Sequence, residues 1–358
     1  MDQRTAVDAR SRPAPGAVAT RPPERRGARP PFGAVLAAAA ALLGLAVLAS
    51  LAVGSRAVPL DVVWSALAAP VDGDADQIVV RELRLPRAVI GVLAGAAFGA
   101  VAAVLQGATR NPLADPGLLG LNAGASLAVV AAITFLGVAT PLGFVWFAFG
   151  GAAAAAAVVF AIGTAGGGAS PAKLALTGAA VMAAATPLIT LVLIRDLATL
   201  NQYRFWSVGS LAGRGLDTAA ALWPFLVAGL ALAAWLAPRL NLLALGDDVA
   251  RGLGVRLGVT RTVTAVAVIV LAGTATSLAG PIALLGLAVA HAAGAFAGGD
   301  FRRRIALAAV LGATVLVIAD VVGRVVAPPA ELEAGIVAAV VGAPVLIALV
   351  RRRGGGAW

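Results

Sequence analysis

The strongest constraint on this chain is a series of ten apolar segments that contain very few charged residues. The segments lie near residues 33–53, 88–108, 118–137, 141–164, 172–194, 219–237, 262–280, 282–297, 305–326 and 334–350. A helix of roughly 20 apolar residues spans the hydrocarbon core of a bilayer; the third, eighth and tenth segments are shorter or interrupted by Gly. With 60% apolar and 12% charged residues, the chain has too little polar surface for a soluble body. Because helices satisfy their own backbone in lipid, the sequence predicts an all-α polytopic membrane protein with about ten transmembrane helices.

The two ends of the chain differ in composition from its apolar centre. Residues 1–31 contain seven Arg, three acidic residues and several Pro, which predicts a disordered tail. Residues 32–353 form the predicted transmembrane domain, and residues 354–358 a short C-terminal tail. Ten spans place both termini on one side of the membrane. Assigning that side to the cytoplasm puts 19 of the 27 Arg and Lys residues inside, as the positive-inside rule favours.

Several residue types that enzymatic sites need are missing from the sequence. There is no Cys and one His, so we predict no disulfide, no thiolate site and no multi-histidine metal site. The single Lys, Lys173, stands between Ala172 and Leu174 and does not match the G-x-x-x-x-G-K-[ST] phosphate-binding motif. The sequence therefore predicts no catalytic residues, no metal and no cofactor, and it excludes a self-contained P-loop ATPase. We attribute the net charge of +10 to membrane topology rather than to nucleic-acid binding.

Four stretches of sequence carry more specific information. They are Arg84-Leu-Pro-Arg87 followed by Asn111-Pro-Leu-Ala-Asp-Pro116, then Phe205-Trp-Ser-Val-Gly-Ser210, then Leu245-Gly-Asp-Asp-Val-Ala-Arg-Gly-Leu-Gly254, and finally Gly280 through His291 and Asp300 to Asp320 and Arg324. In this order and spacing, over roughly residues 35–353, they resemble the FecCD family of permeases. These are the membrane subunits of ABC importers for iron–siderophore chelates, haem and cobalamin.

The resemblance implies a type II ABC importer permease fold and a set of partners. Two permease subunits, identical or different, pair around a central path in the lipid of the bacterial plasma membrane. Separate ABC ATPase subunits bind the cytoplasmic side, and an extracytoplasmic substrate-binding protein binds the outer side. The expected cargo is an Fe(III)–siderophore complex, with haem or cobalamin as the alternative. The missing P-loop agrees with an ATPase on another chain.

The resemblance also suggests functional residues. The predicted ATPase-coupling element comprises Leu245, Gly246, Asp247, Asp248, Ala250, Arg251, Leu253 and Gly254. Arg84, Arg87 and Arg324 are predicted to bind carboxylates of the binding protein, since guanidinium groups bind carboxylates bidentately. The alternatives are an ordinary solvated loop for the first set and contact with lipid headgroups for the second. Gln106 and Trp206 are candidate residues of the translocation path.

Other residues are interpreted as structural. We expect Asn111 to Pro116 to form a rigid turn in which Asp115 caps the next helix, and His291 to be a structural residue at a helix end. The chain departs from the family pattern at Ala290, where Pro is usual, at Gly294, where Arg is usual, and at Glu333, where Pro is usual.

Two other classes remain open at this stage. One is a secondary transporter, which usually needs ionisable residues deep in its spans, and few are present here. The other is an intramembrane enzyme, for which no nucleophile–base set is visible.

Overall fold

The computed structural model describes residues 30–117, 119–164, 171–328 and 330–353. The tails predicted at 1–31 and 354–358 lie outside the described residues, apart from Pro30 and Pro31. The described part of the chain is helical throughout and contains no strand. In chain order the helices are α1 (Phe32–Ala52), α2 (Leu60–Ala68), α3 (Ala75–Ile78), α4 (Leu85–Thr109), α5 (Leu121–Leu136), α6 (Pro141–Thr164), α7 (Pro171–Arg195), α8 (Leu197–Ser207), α9 (Leu216–Leu243), α10 (Asp247–Gly252), α11 (Leu257–Ala279), α12 (Leu285–Ala297), α13 (Phe301–Val326) and α14 (Ala334–Arg353).

Ten of these helices correspond to the ten predicted apolar segments. Among the described residues, seven helical stretches are long and apolar enough to cross a membrane, namely α1, α3 joined to α4, α6, α7, α9, α11 and α13. The other three, α5, α12 and α14, are shorter over their described apolar parts and are the third, eighth and tenth segments. Gly120 and Gly137, both with positive φ, bound α5, and Leu284 with φ of 65° precedes α12. The all-α membrane fold is confirmed.

The second segment begins earlier than its hydropathy predicted. A π-helical turn, Val79–Arg84, joins α3 to α4, so that one helical run extends from Ala75 to Thr109. Pro86 is the second residue of α4 and follows closely on the π-helical turn, where the run departs from regular α-helical hydrogen bonding. Arg84 and Arg87 therefore lie within a helical run and not in a loop before it. Apolar periodicity could not show this, because charged residues interrupt it.

Helix α4 lies at the centre of the bundle, and 78% of its most apolar window is buried. Gly95 and Gly99 face α13, where a methyl group on either would overlap the backbone of Gly312 or Ala308. These glycines therefore allow the backbones of α4 and α13 to pack closely. α4 also packs against α9, α11 and α12.

Helix α7 lies at the periphery, where only 11% of its apolar window is buried. Small or hydroxyl-bearing residues such as Ala183, Thr186 and Thr190 are exposed on α7. Large apolar side chains are exposed as well, namely Leu176, Leu188, Leu191 and Ile194. The hydroxyls of Thr186 and Thr190 donate to backbone carbonyls of the preceding turn, so the exposed surface of α7 is mainly apolar.

Candidate functional site

The predicted coupling loop contains one short helix, α10. α9 continues to Leu243 and α11 begins at Leu257, so both flanking helices are longer than predicted and use residues that were assigned to the loop. Gly246 and Gly254 have φ of 105° and 85°, which glycine adopts without the strain of a side chain. These two turns allow α10 to project between the ends of its neighbours.

The outward side of α10 is apolar. Leu245, Val249 and Leu253, spaced four residues apart, are 60%, 49% and 57% exposed. Asp248 and Arg251 form an exposed ion pair of 2.9 Å beside them, and Ala250 is buried on the opposite side. Exposed large apolar residues outside the apolar spans are typical of a binding surface. The prediction missed Val249, which the spacing of four from Leu245 and Leu253 would have indicated.

Asp247 is directed inward, away from this surface. Its two carboxylate oxygens lie 3.2 Å from Arg110 Nη2 and 2.8 Å from Arg261 Nη2. Arg110 caps the end of α4 in a left-handed conformation, with φ of 52°, and Arg261 lies in the first turns of α11. Neither partner could be identified from the sequence, because neither is a near neighbour of Asp247 along the chain. The pair of contacts ties α10 to the central helix and to α11.

At the opposite end of the bundle, Arg84 and Arg324 are buried, with 5% and 2% exposure. Arg84 donates to the carbonyls of Leu51 (2.7 Å) and Arg56, and Arg324 donates to the carbonyl (3.0 Å) and hydroxyl (2.8 Å) of Ser50. Both guanidinium groups thus neutralise the carboxyl-terminal end of α1, where unpaired carbonyls carry partial negative charge. Docking by these two side chains stays a prediction, and it would require them to leave these internal partners.

Arg87 occupies a different environment from the other two arginines. It forms ion pairs with Asp320 of α13 at 2.9 Å and with Glu331 at 2.7 Å, and its side chain is 13% exposed. Asp320 is also paired with Arg324, at 3.1 Å. Of the three predicted docking residues, Arg87 is therefore the most exposed.

The two candidate path residues are both buried. Gln106 accepts a hydrogen bond from Arg304 and is enclosed by the bundle, so in this structure it stabilises the inner ends of α4 and α13. Trp206 lies at the end of α8, and its indole Nε1–H has no hydrogen-bond partner within the described residues. Trp206 lines a cavity together with Arg214, Gln202 and Glu333.

Asp115 and His291 differ from their predicted positions. Asp115 accepts from the N–H of Gly117 at 2.8 Å within its own turn, while Gly120 precedes α5, so Asp115 does not cap that helix. Burial raises the pKa of the Asp115 carboxyl to about 6. His291 lies in the middle of α12 rather than at a helix end. In the described parts of the chain, no group of three or more His, Cys, Asp or Glu residues is placed to hold a metal.

Comparison with known proteins relates this arrangement to one family of transporters. The model of the FecCD transport family matches residues 42–352. The probable siderophore transport system permease protein YfiZ of Bacillus subtilis (strain 168) is 38% identical over 282 residues, covering 78% of this chain and 85% of that protein. The ferric enterobactin transport system permease protein FepD of Escherichia coli (strain K12) is 41% identical over 314 residues, 87% of this chain and 93% of that protein.

A solved structure agrees with these sequence relatives. It is an inward-facing conformation of a transporter described as of the metal-chelate ABC type, and it superimposes with a TM-score of 0.78 at 25% identity. The match covers 89% of this chain and 99% of that one. The family match extends over nearly the whole bundle, including the α9–α11 loop and the outer arginines. This chain is therefore a multi-pass membrane protein that belongs to the FecCD transport family.

Proposed function

We propose that this chain is the transmembrane permease subunit of an ATP-driven importer that takes up Fe(III)–siderophore complexes delivered by a binding protein. The observation that carries the proposal is the 41% identity to a ferric enterobactin permease over 93% of that protein's length. The exposed apolar side of α10 supports it, because a subunit without its own phosphate-binding loop needs a surface for a separate ATPase.

The ATPase contact of this proposal is the α10 surface, defined as Leu245, Asp248, Val249, Arg251 and Leu253. Apolar anchors surrounded by a polar rim are typical of specific protein interfaces. On the other side of α10, Asp247 connects this surface to α4 and α11 through Arg110 and Arg261. Movement of the ATPase would then displace the inner ends of both helices and change the side on which the path opens.

The binding protein is proposed to dock on the outer end of the bundle, with Arg87 as its first contact. Arg87 is already paired with the half-exposed Glu331, so an incoming carboxylate would have to compete with that side chain. Arg84 and Arg324 are proposed to act behind it, by holding α1 against α4 and α13.

The second permease subunit is proposed to pack beside α7, leaving the translocation path along its exposed small and hydroxyl residues. The argument is burial: α7 is apolar and is flanked within the subunit on one side only. Small side chains allow a second set of helices to approach closely, and they bind a bulky chelate weakly enough to let it pass. In this arrangement Gln106, near the end of α4, and Trp206, near the end of α8, do not line the path itself.

The orientation in this proposal places both termini and α10 in the cytoplasm. It follows from the distribution of Arg and Lys, of which 19 of 27 fall on that side. The outer arginines, which oppose the rule, are accounted for by their pairing with the α1 terminus, Asp320 and Glu331.

Reconstitution tests the proposal directly. Vesicles containing this chain, its ATPase and its partner permease, supplied with binding protein, should accumulate a ferric siderophore only when ATP is present on the ATPase side. Collapse of the proton gradient should leave uptake unchanged, whereas an inactive ATPase should abolish it. Uptake driven by a proton gradient without the ATPase would instead show a secondary transporter, and uptake of haem or cobalamin alone would correct the cargo.

A further inference from the structure

The outer end of the bundle contains a cavity of about 420 Å³ that the proposed docking and coupling roles do not use. It lies between the start of α6, the end of α8 and the segment that leads into α9. Phe144 and Trp206 form apolar walls, and Gln202, Ser210, Arg214 and Glu333 supply its polar groups. The cavity is wide enough to admit part of an organic molecule, and it opens on the side from which cargo arrives in the proposed orientation.

Arg214 brings a buried positive charge to this cavity. The side chain is 9% exposed and donates one hydrogen bond, of 2.6 Å, to the carbonyl of Ser277. Within the described residues it has no carboxylate partner at ion-pair distance, although Glu333 attracts it from across the cavity. Burial lowers the pKa of Arg214 to about 10, because its charge is compensated incompletely. The group nevertheless stays cationic at neutral pH.

Further hydrogen-bond donors surround this cation. The buried Nε1–H of Trp206 has no partner in the described structure, and a buried unpaired donor is costly. The Ser210 Oγ accepts from the N–H of Ala212 at 3.1 Å, which leaves its hydroxyl hydrogen for another acceptor. The amide of Gln202 adds two more donors at the wall. The cavity is thus rich in hydrogen-bond donors, and Glu333 is the one acidic residue among the described residues that line it.

We infer that this cavity binds an anionic oxygen group, of the carboxylate type, on a ferric chelate that enters the permease. The inference rests on the proposed function and adds a subsite to it. Arg214, Trp206 and Ser210 donate to the oxygens, while Phe144 and the indole face contact the organic part of the chelate. Glu333 opposes a second negative charge and therefore weakens the binding of highly anionic chelates. This subsite makes the permease selective by charge.

Equilibrium binding to the full transporter complex in nanodiscs, without binding protein, tests the inference. The probes are ferric citrate, which is anionic, and an uncharged ferric trihydroxamate, each labelled with radioactive iron. Arg214→Gln should weaken ferric citrate binding by about 10-fold or more, the loss expected for a charge-assisted hydrogen bond. Glu333→Gln should strengthen it several-fold, and Trp206→Phe should weaken it without changing the cavity wall. Arg195→Gln, which removes an exposed outer arginine away from the cavity, is the matched control and should bind as wild type.

The outcomes separate the subsite from the transport function. Ferric citrate binding that is unchanged in Arg214→Gln and in Glu333→Gln overturns the inference, and so does equal binding of the uncharged chelate. Binding of metal-free citrate as strong as that of ferric citrate overturns the assignment to the chelate. Because Glu333→Gln predicts a gain, misfolding of the Arg214 variant cannot account for both results. If the wild-type complex shows no ATP-dependent uptake of any ferric chelate, the proposed function fails instead.

Discussion

Asp247, the first residue of α10, forms an ion pair of 3.2 Å with Arg110, which ends the central helix α4. The two residues are far apart in sequence, and a second pair joins Asp247 to Arg261 of α11. α10 is only six residues long and has one fully buried side chain, Ala250, so apolar packing holds it weakly. The carboxylate of Asp247 therefore adds two side-chain contacts between the proposed ATPase contact and the ends of α4 and α11.

The first prediction concerns this connection. Asp247→Asn should lower the uptake per ATP hydrolysed several-fold while ATP hydrolysis itself continues. Both ion pairs are partly solvated, so the loss of stability should stay at about 1 kcal/mol or less. The ratio is obtained by measuring chelate uptake and ATP hydrolysis in the same vesicles. Asp72→Asn removes an exposed carboxylate that lies outside the α10 surface and should leave the ratio near wild type. An unchanged ratio in Asp247→Asn would contradict this role.

The second prediction concerns the apolar side of α10. Leu253→Ser should weaken association with the ATPase about 10-fold or more. The reason is that Leu253, which is 57% exposed in the free subunit, becomes buried in the proposed complex. Co-purification and binding by surface plasmon resonance measure the loss. Leu216→Ser changes another exposed leucine, 44% exposed at the start of α9, and should have no effect. Equal association of both variants would exclude Leu253 from the interface.

The third prediction concerns the contact between α4 and α13. Gly99→Ala places a methyl group against the backbone of Ala308, which cannot move aside without separating the helices. The expected destabilisation is about 1–3 kcal/mol, as for other overpacked cores. Thermal unfolding in detergent measures it. Gly44→Ala in α1, where no atom lies within 4 Å of the added carbon, should be neutral or slightly stabilising.

The fourth prediction separates the outer arginines. Arg84→Glu would bury a carboxylate against the carbonyl oxygens of Leu51 and Arg56 and should destabilise the fold by about 3–5 kcal/mol. Arg87→Gln, at a more accessible position, should weaken docking of the binding protein with a smaller loss of stability. Melting temperature and docking affinity, measured on the same preparations, distinguish the two effects. A stable Arg84→Glu variant with weakened docking would show instead that Arg84 reaches the binding protein.

The fifth prediction is a pH dependence that originates at Asp115, in the turn between α4 and α5. Because burial raises its pKa from 3.8 to about 6, the folded state holds a proton that the unfolded state releases. The contribution of the Asp115 carboxyl to the free energy of unfolding is therefore fully present below pH 3.8. It falls by roughly 3 kcal/mol in total as the pH rises from 3.8 to about 6. Asp115→Asn should remove this loss of stability. The melting temperature of the variant, measured relative to that of the wild type, should therefore increase as the pH rises from 4 to 7. Asp72→Asn, in an exposed outer loop, should follow the wild-type curve at every pH.

Much of the architecture follows from hydropathy alone. The ten apolar segments gave the number and order of the main helices, and the Gly interruptions identified α5, α12 and α14 as the shorter ones. Helix ends were less certain wherever charged residues continue a helix, as at Arg84 and Arg87, because hydropathy detects contact with lipid and not backbone hydrogen bonding. The short motifs led to the correct family because each of them specifies a turn or the position of a charge within a few residues.

The sequence by itself determined that this chain is a bundle of membrane helices with one polar loop between α9 and α11 and a cluster of positive charge at the opposite end. Only the tertiary structure decided what those charges contact. Arg324 contacts Ser50, 274 positions away, and is buried there, whereas Asp247 pairs with Arg110 at the end of the central helix and stays partly exposed. Inside the low-dielectric protein, the electrostatic energy of a charged side chain is dominated by the nearest opposite charge or carbonyl group. That neighbour is set by how the helices cross, which no local pattern of residues records.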